Sequence, residues 1–403
     1  MHLLYIHQYF NFPEGSGGTR SYDLAKSFVE KGIKVTVVTS DSDLTNLCNS
    51  NEKWRIIERD GITVYVLNCP YNNKMGFYKR IWSFLSFVYG TSFKVLKIRA
   101  DVVLATSTPL TIAIPALVKR CFQKTPFVFE VRDVWPEVPI KMGIVKNRLL
   151  IWMLYAFEKY VYKKASVIVP LSVGMCENIT SRLKGMVEKL VVIPNISELE
   201  RFSKWQYSVK FPFDLKEKKI LLYCGTLGKV NGLLYLVDMA SMTMQYDKNI
   251  VYCIVGNGKE LDEVLDAAKK KGVLNQNFFY MGVVSKNELP YLYHMAAAGS
   301  SFVIDNPILW DNSANKFFDT LAAHRPIVIN YEGWQAEAIR EHQCGYILPP
   351  SLNQNDVEKF VAFINDPAGL AKAGENAYKL AEKRYSLQVA VKSYIEIFDK
   401  LSV

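Results

Sequence analysis

The feature that most restricts this chain is a rhythm. Short, wholly apolar, β-branched runs alternate with stretches of helical periodicity along most of its length. The runs expected as strands are 3–6, 35–38, 64–67, 102–105, 127–131, 167–169 and 191–193, then 220–224, 251–255, 278–280, 302–304 and 327–329. A strand that is apolar on both faces is buried on both, and the helical intervals supply the covers. The class implied is α/β, with parallel sheets between layers of helices. A single core seldom grows beyond about 250–300 residues, so a chain of 403 suggests two domains.

Between 198 and 218 the rhythm lapses into charged and aromatic residues around Pro212, then restarts. The expected domains are therefore 1–200 and 215–385, each a doubly wound, Rossmann-like half, facing each other across a cleft. Two helices, about 368–383 and 387–401, close the chain, and residues 386–403 are expected to return to the first domain. In such sheets ligands sit outside the carboxyl ends of the strands, so the loops there should carry the chemistry.

Composition narrows the class. Half the residues are hydrophobic and 22% are charged, as in a folded globular protein. The formal charge is +10, of which residues 1–200 hold +9. Nucleic acid, an anionic membrane surface or a phosphorylated substrate are the partners such a basic half can serve. No recognition module for nucleic acid is present, which sets that partner aside. The seven cysteines include no C-x-x-C pair, and the five histidines include no H-E-x-x-H spacing, so no metal is expected. The first residues read as a strand and not as a signal peptide, no stretch is apolar enough to span a bilayer, and reduced cysteines fit a reducing compartment.

The densest cluster of chemistry is the stretch 311–330. Ser313 is expected to cap a short helix whose core face is Phe318, Leu321 and Ala322, with Asn315 and Asp319 on another face. Lys316 falls in its first turn, where the helix dipole disfavours a cation unless an anion is bound there. Glycines close several expected strands: Gly225 and Gly228 with Lys229 beside them, Gly256 and Gly258, and Gly282 ahead of Val283. In the first half, 15–18 (Gly-Ser-Gly-Gly) follows the first strand without forming the G-x-G-x-x-G dinucleotide fingerprint. Asp41 and Asp43 have the spacing of a metal-holding pair, against which stands the frequency of such pairs in loops. Arg132, Asp133 and Glu137 end the strand at 127–131, and Arg132 has either Glu130 or Glu137 within reach in sequence.

Taken together these motifs resemble retaining family-four glycosyltransferases of the GT-B fold, over nearly the whole chain. The resemblance is carried in the second half by 223–228, 254–258, 279–284 and 315–328, and in the first by Gly17, Gly18, Thr19 and Arg20 with 132–137. The last two are most similar to the subgroup that builds bacterial surface polysaccharides, fucosamine-type transferases included. The family brackets its sugar nucleotide with two acids eight residues apart, the spacing of Asp311 and Asp319. Here both are aspartate where glutamate is usual, Arg132 stands where many relatives have histidine, and Lys229 alone represents the basic residue expected after Gly225.

The resemblance implies a nucleotide-sugar donor, for which a uridine base is the expectation here, and a glycan or polyprenyl-diphosphate-linked acceptor, with no cofactor. It assigns Asp319 to the ribose and Asp311 to the transferred sugar. Gly17, Gly18, Gly225, Gly256, Val283, Ser313 and Asn315 are the further donor contacts, and Arg20, Arg132 and Glu137 the acceptor side. Asp133, Lys229, Lys316 and Asp311 are the expected catalytic residues, the lysines stabilising the departing diphosphate. A sugar-nucleotide epimerase shares this architecture and is the rival reading.

One pattern lies outside that resemblance. Residues 74–99 carry Lys74, Lys79, Arg80, Lys94, Lys97 and Arg99 with no acid, around an apolar centre at 81–89. Residues 141–164 repeat the plan with Glu158 as the one acid. Either these helices are buried between sheet and neighbours, or they rest in the headgroups of an anionic bilayer, as a peripheral protein on the cytoplasmic face would.

Overall fold

The computed structural model describes residues 1–15, 17–42, 44, 52–69, 77–183, 185 and 187–402, with the backbone alone described for 77–81. Its contacts divide the chain into two units, residues 195–387 forming one and all the rest the other.

In the first unit the elements run β1 (His2–Ile6), α1 (Arg20–Glu30), β2 (Lys34–Ser40), β3 (Trp54–Arg59), β4 (Ile62–Leu67), α2 (Phe77–Leu96), β5 (Val102–Thr106), α3 (Ala113–Gln123), β6 (Phe127–Val131), α4 (Glu137–Lys141), α5 (Arg148–Lys164), β7 (Val167–Pro170) and α6 (Val173–Arg182). The sheet has the order β3-β4-β2-β1-β5-β6-β7. All neighbours are parallel except β3 and β4, which form a hairpin. The run at 191–193 is not a strand: the Val191 and Ile193 N–H groups donate to the Ile168 and Pro170 carbonyls of β7, at 3.0 and 3.2 Å, but the pairing goes no further than an isolated bridge between Leu190 and Ile168. Pro194 follows it and has no N–H to extend the ladder. Strand β3 lies outside the apolar rhythm because it is a half-exposed edge with arginines and a glutamate. Its turn, Asp60-Gly61, has φ of 50° and 75°, the left-handed pair that a two-residue hairpin needs.

The second unit runs α7 (Leu199–Ser203), β8 (Lys219–Cys224), α8 (Leu234–Thr243), β9 (Ile250–Val255), α9 (Leu261–Lys270), β10 (Phe278–Tyr280), α10 (Leu289–Met295), β11 (Ala298–Ser301), α11 (Asn315–Ala322), β12 (Ile327–Ile329), α12 (Trp334–His342), β13 (Gly345–Ile347), α13 (Gln354–Ile364) and α14 (Pro367–Leu380). Its sheet is wholly parallel in the order β10-β9-β8-β11-β12-β13, which reverses direction between β8 and β11. The strand expected at 302–304 lies earlier, at Ala298–Ser301. Its small residues are dictated by α11, which lies directly on it. A Cβ at Gly299 would stand 2.2 Å from Thr320 Oγ1. The last helix, α15 (Leu387–Leu401), belongs from Gln388 onward to the first unit, where Tyr394 and Phe398 pack on Phe28.

Both units are therefore Rossmann-like α/β layers, with cores of Val, Ile, Leu and Phe on each side of the sheet. Each fully buried side chain of this kind contributes about 1.5–3 kcal/mol. Helix α11 goes further than the expected single stripe: Phe317, Phe318, Thr320, Leu321 and Ala322 are all buried, and so are Lys316 and Asp319. Two charges on a fully enclosed helix need a structural or functional reason.

Candidate donor and acceptor sites

In the second unit the loops at the carboxyl ends of β8, β9 and β10 meet the start of α11. Gly256, after β9, has φ +133°, and a Cβ there would lie 1.9 Å from the Gly225 carbonyl oxygen, so only glycine fits. This brings the backbones after β8 and β9 into contact. Lys316 Nζ arrives at the same place, 3.7 Å from where a Cβ on Gly225 would stand. It donates to Asn231 Oδ1 at 3.0 Å and to Tyr223 Oη at 3.4 Å, and lies 4.8 Å from the centroid of the Tyr223 ring. No carboxylate among the described residues pairs with it. Burial without a counter-ion pulls its pKa down to about 8. The site thus holds an ammonium group for which the protein supplies only neutral partners.

Ser313 is not the cap of α11. The N-cap is Ala314, whose side chain accepts nothing, and the helix begins at Asn315. The Ser313 carbonyl instead accepts from Asn195 Nδ2 at 3.2 Å, and the same amide nitrogen donates to Asn315 Oδ1 at 2.5 Å. The helix therefore presents its first N–H groups without a side-chain cap, next to Lys316, which is how a helix start receives an anion.

Asp319 lies one turn on and is held by a residue that sequence reasoning missed. Lys286 Nζ donates to both of its carboxylate oxygens, at 2.6 and 2.5 Å, with both side chains buried. Lys286 sits in the loop after β10, where Ser285 and Glu288 close a small capping turn. A lysine at a strand's carboxyl end was the available signal. Of the other expected donor residues, Lys229 is exposed in a short turn after β8, Val283 is exposed, and Asp311 is half-buried ahead of α11. The structure thus brings Gly225, Gly256, Asn315, Lys316 and Asp319 onto one strand-end surface, with Lys286, Asn231 and Tyr223 added to them.

The first unit has its own cluster at the carboxyl ends of β1, β5 and β6. Asp133 is exposed and accepts from the Thr108 hydroxyl at 2.8 Å. The Arg132 N–H donates to Ser107 Oγ at 2.9 Å, and its Nη1 reaches His7 Nε2 at 3.4 Å. Burial, and then the Arg132 charge, push the His7 imidazole well below its usual range, so it is neutral at pH 7. Its Nδ1 and the Gln8 Nε2 are buried with no hydrogen-bond partner among the described residues.

Arg132 takes neither of its two sequence neighbours as an ion pair. Glu130 belongs to Arg20, at 3.0 Å, and also accepts from Thr106 and Tyr394. Burial alone would raise the Glu130 carboxyl, but Arg20, Arg132 and the two hydroxyls outweigh it and hold its pKa at about 2. Arg20 is therefore a buried structural residue, its Nη1 also donating to the Pro194 carbonyl at 2.8 Å, and it is not on an open acceptor face. Glu137 likewise is buried, bridging Lys141 at 2.9 Å and the Tyr155 hydroxyl at 2.5 Å. Asn11 fills the space beside Gly17, Gly18 is half-buried, and Ser16 lies outside the described residues. Asp41 is spent on Arg55, at 3.1 Å, and on the Cys69 N–H, while its expected metal partner Asp43 lies outside the described residues. Among the described residues no group of three His, Cys, Asp or Glu side chains could hold a metal.

Two doubly wound parallel-sheet units, each with its cluster at the strand carboxyl ends, define the GT-B class of fold. The solved Anabaena Alr3699/HepE in complex with UDP-glucose superposes with a TM-score of 0.70 at 15% identity, covering 99% of this chain and 100% of that one. Residues 15–196 match the glycosyl transferase 4-like domain, and residues 206–380 match glycosyl transferases group 1. The two halves of the chain thus each match a glycosyltransferase domain family, the second half the group 1 family. It is similar to the uncharacterized glycosyltransferase MJ1059 of Methanocaldococcus jannaschii, 24% identical over 69% of this chain and 66% of that protein. It is also similar to the putative colanic acid biosynthesis glycosyl transferase WcaI of Escherichia coli K12, 25% identical over 42% of each. The chain thus spans less than two thirds of the length of these curated relatives.

Proposed function

We propose that this protein is a retaining glycosyltransferase that moves a sugar, a hexose or N-acetylaminosugar, from a uridine diphosphate donor to a glycan or polyprenyl-diphosphate-linked acceptor. The observation that carries the reading is Lys316: a buried ammonium that pairs with no carboxylate among the described residues, beside Gly225 and the start of α11, which has no side-chain cap. The costly event in sugar transfer is loss of the diphosphate. A preorganised cation and helix N–H groups aimed at that charge stabilise its departure without needing a metal. Asp319, fixed by Lys286, keeps lone pairs for the ribose hydroxyls. Asp311 contacts the transferred sugar and Lys229 the diphosphate. Gly225, Gly256, Val283, Ser313 and Asn315 complete the donor contacts.

In the first unit Asp133 and Arg132 face the acceptor, with neutral His7 behind them. The choice of uridine is supported by the UDP-glucose complex of HepE, and a role in surface polysaccharide synthesis by the similarity to WcaI. The reading includes a place on the cytoplasmic side of the plasma membrane, where nucleotide sugars meet lipid-linked acceptors.

A thermal-shift screen of nucleotide sugars tests it. A ligand at ~100 times its Kd adds about 2.7 kcal/mol and raises the melting temperature by about 2–4 °C for a protein of this size. A guanosine form that shifts the melt while uridine forms do nothing overturns the donor assignment. Turnover of the donor with no acceptor present, giving an isomeric sugar nucleotide, overturns transfer in favour of epimerisation. Activity abolished by a chelator and restored by a divalent cation overturns metal independence.

A further inference from the structure

One face of the first unit is apolar, cationic and turned to solvent. The connections β4–α2–β5, β5–α3–β6 and β6–α5–β7 all step in the same direction along the sheet. Right-handed crossovers therefore put α2, α3 and α5 on the same side. Their inner positions, among them Phe87, Ala116 and Val161, share one core. Their outer positions are not polar, as a solvated helix face should be. On α2, Trp82, Leu85, Tyr89 and Phe93 are 72%, 56%, 64% and 56% exposed, and their spacing of three and four residues makes one stripe. On α5, Leu149 and Trp152 are both 67% exposed. Burial against the sheet, one of the two readings of this pattern, accounts only for the opposite stripe.

The charges around these rings have one sign. Helices α2 and α3 contain no acid, and the one acid of α5, Glu158, is buried against Arg182 at 2.8 Å. Arg148 precedes the exposed apolar turn of α5, and Lys159, Lys163 and Lys164 follow it, all exposed. Lys94 is excepted, because it lies 3.8 Å from the Tyr65 ring centroid. Lys79, Arg80 and Ile81 have no described side chains, and Lys74 lies outside the described residues.

We infer that the α2–α5 face docks on an anionic lipid bilayer, its aromatic and aliphatic side chains entering the headgroup boundary and its lysines and arginines pairing with lipid phosphates. Exposed tryptophan and tyrosine flanked by snorkelling cations match that boundary chemically. A second copy of the chain fits less well, since a two-fold interface would set these same cations against themselves. The N-terminal end of α2 and of α5 is the end of the sheet where Thr108 and Asp133 lie. Docking would therefore bring the bilayer beside that cluster. No helix among the described residues is long and apolar enough to cross a membrane, so attachment is at the surface.

Flotation of the full chain with phosphatidylglycerol-containing vesicles and with pure phosphatidylcholine vesicles tests the inference independently of enzyme activity. We expect co-flotation with the anionic vesicles only, weakening as salt is raised, and quenching of tryptophan fluorescence by brominated lipid. The double variant Trp82→Gln, Trp152→Gln should lower partitioning on the order of tenfold. Its nucleotide affinity, measured separately, should remain unchanged. A protein that stays in the soluble fraction at low salt overturns the inference, and the quenching measurement on the unaltered chain does so without any variant. A dimer in light scattering that dissociates in the double variant assigns the face to a second copy, and RNA binding without vesicle binding assigns it to nucleic acid. Either result overturns it.

Discussion

Lys286 grips both carboxylate oxygens of Asp319 from a loop 33 residues away in sequence, and the two form a buried ion pair in the second unit. Only three residues before Asp319, Lys316 is equally buried and pairs with no carboxylate among the described residues. One helix thus carries a charge already neutralised and a charge still waiting for its partner. That contrast separates what holds the candidate donor site together from what is proposed to act in it.

Removing one member of the pair leaves the other charge buried. Lys286→Met should destabilise the second unit by about 3–5 kcal/mol, and Asp319→Asn by somewhat less, while Lys286→Met with Asp319→Leu should cost much less than the sum. Urea denaturation of the three variants measures this. Additive losses would mean that the two side chains do not act as a pair.

Lys316 should behave in the opposite way. Lys316→Met removes an unpaired buried charge, so the melting temperature should hold or rise, while kcat falls more than KM rises if the contact strengthens as the diphosphate leaves. Unchanged kcat/KM would remove Lys316 from the mechanism.

The same lysine sets a pH dependence. Its folded-state pKa is lowered to about 8 by burial, from an ordinary value of 10.5. Between those values the unfolded chain binds more protons than the folded one, so this group raises the stability of the free protein as pH rises from 8 to 10.5. Binding has the reverse sign: in the proposed role the ammonium form receives the diphosphate, so UDP affinity should be full below about pH 8 and fall above it. Calorimetry in buffers of different ionisation enthalpy should show proton uptake on UDP binding near pH 8, and its absence in Lys316→Met.

Glu130 works on the first unit at the acid end. Its carboxyl is held at about 2 against an ordinary 4.5, so its contribution is present above 4.5 and lost as pH falls toward 2. Glu130→Gln should flatten the acid limb of the stability curve. The uncompensated Arg20 it leaves should also lower stability by about 3–5 kcal/mol at pH 7. An acid limb identical to that of the unaltered chain would exclude the Arg20–Glu130 pair as its cause.

Gly256→Ala should abolish nucleotide binding and lower the melting temperature, because the new Cβ would fall 1.9 Å from the Gly225 carbonyl, in backbone geometry that disfavours any side chain. Binding of UDP at ordinary affinity by this variant would show that the two loops need not touch.

The sequence by itself determined the doubly wound architecture, because strands buried on both faces must be apolar throughout and cannot hide that pattern. It determined the glycines at strand ends and the oddity of Lys316 in a first helical turn, since both are local in origin. It also held the Asp60-Gly61 hairpin signal, which is masked by the stronger apolar rhythm around it. Only the tertiary structure decided which charges are partners. Arg132 lies two residues from Glu130, yet Glu130 belongs to Arg20 and to Tyr394, which is 264 residues away. It also decided that β11 is the small-residue run and not the apolar one after it, because the space available is set by α11 lying across the strand. Periodicity reports what a segment does to its own backbone. Ion pairs and packing distances depend on what the fold carries up to it, and a single chain read in order contains no measure of that distance.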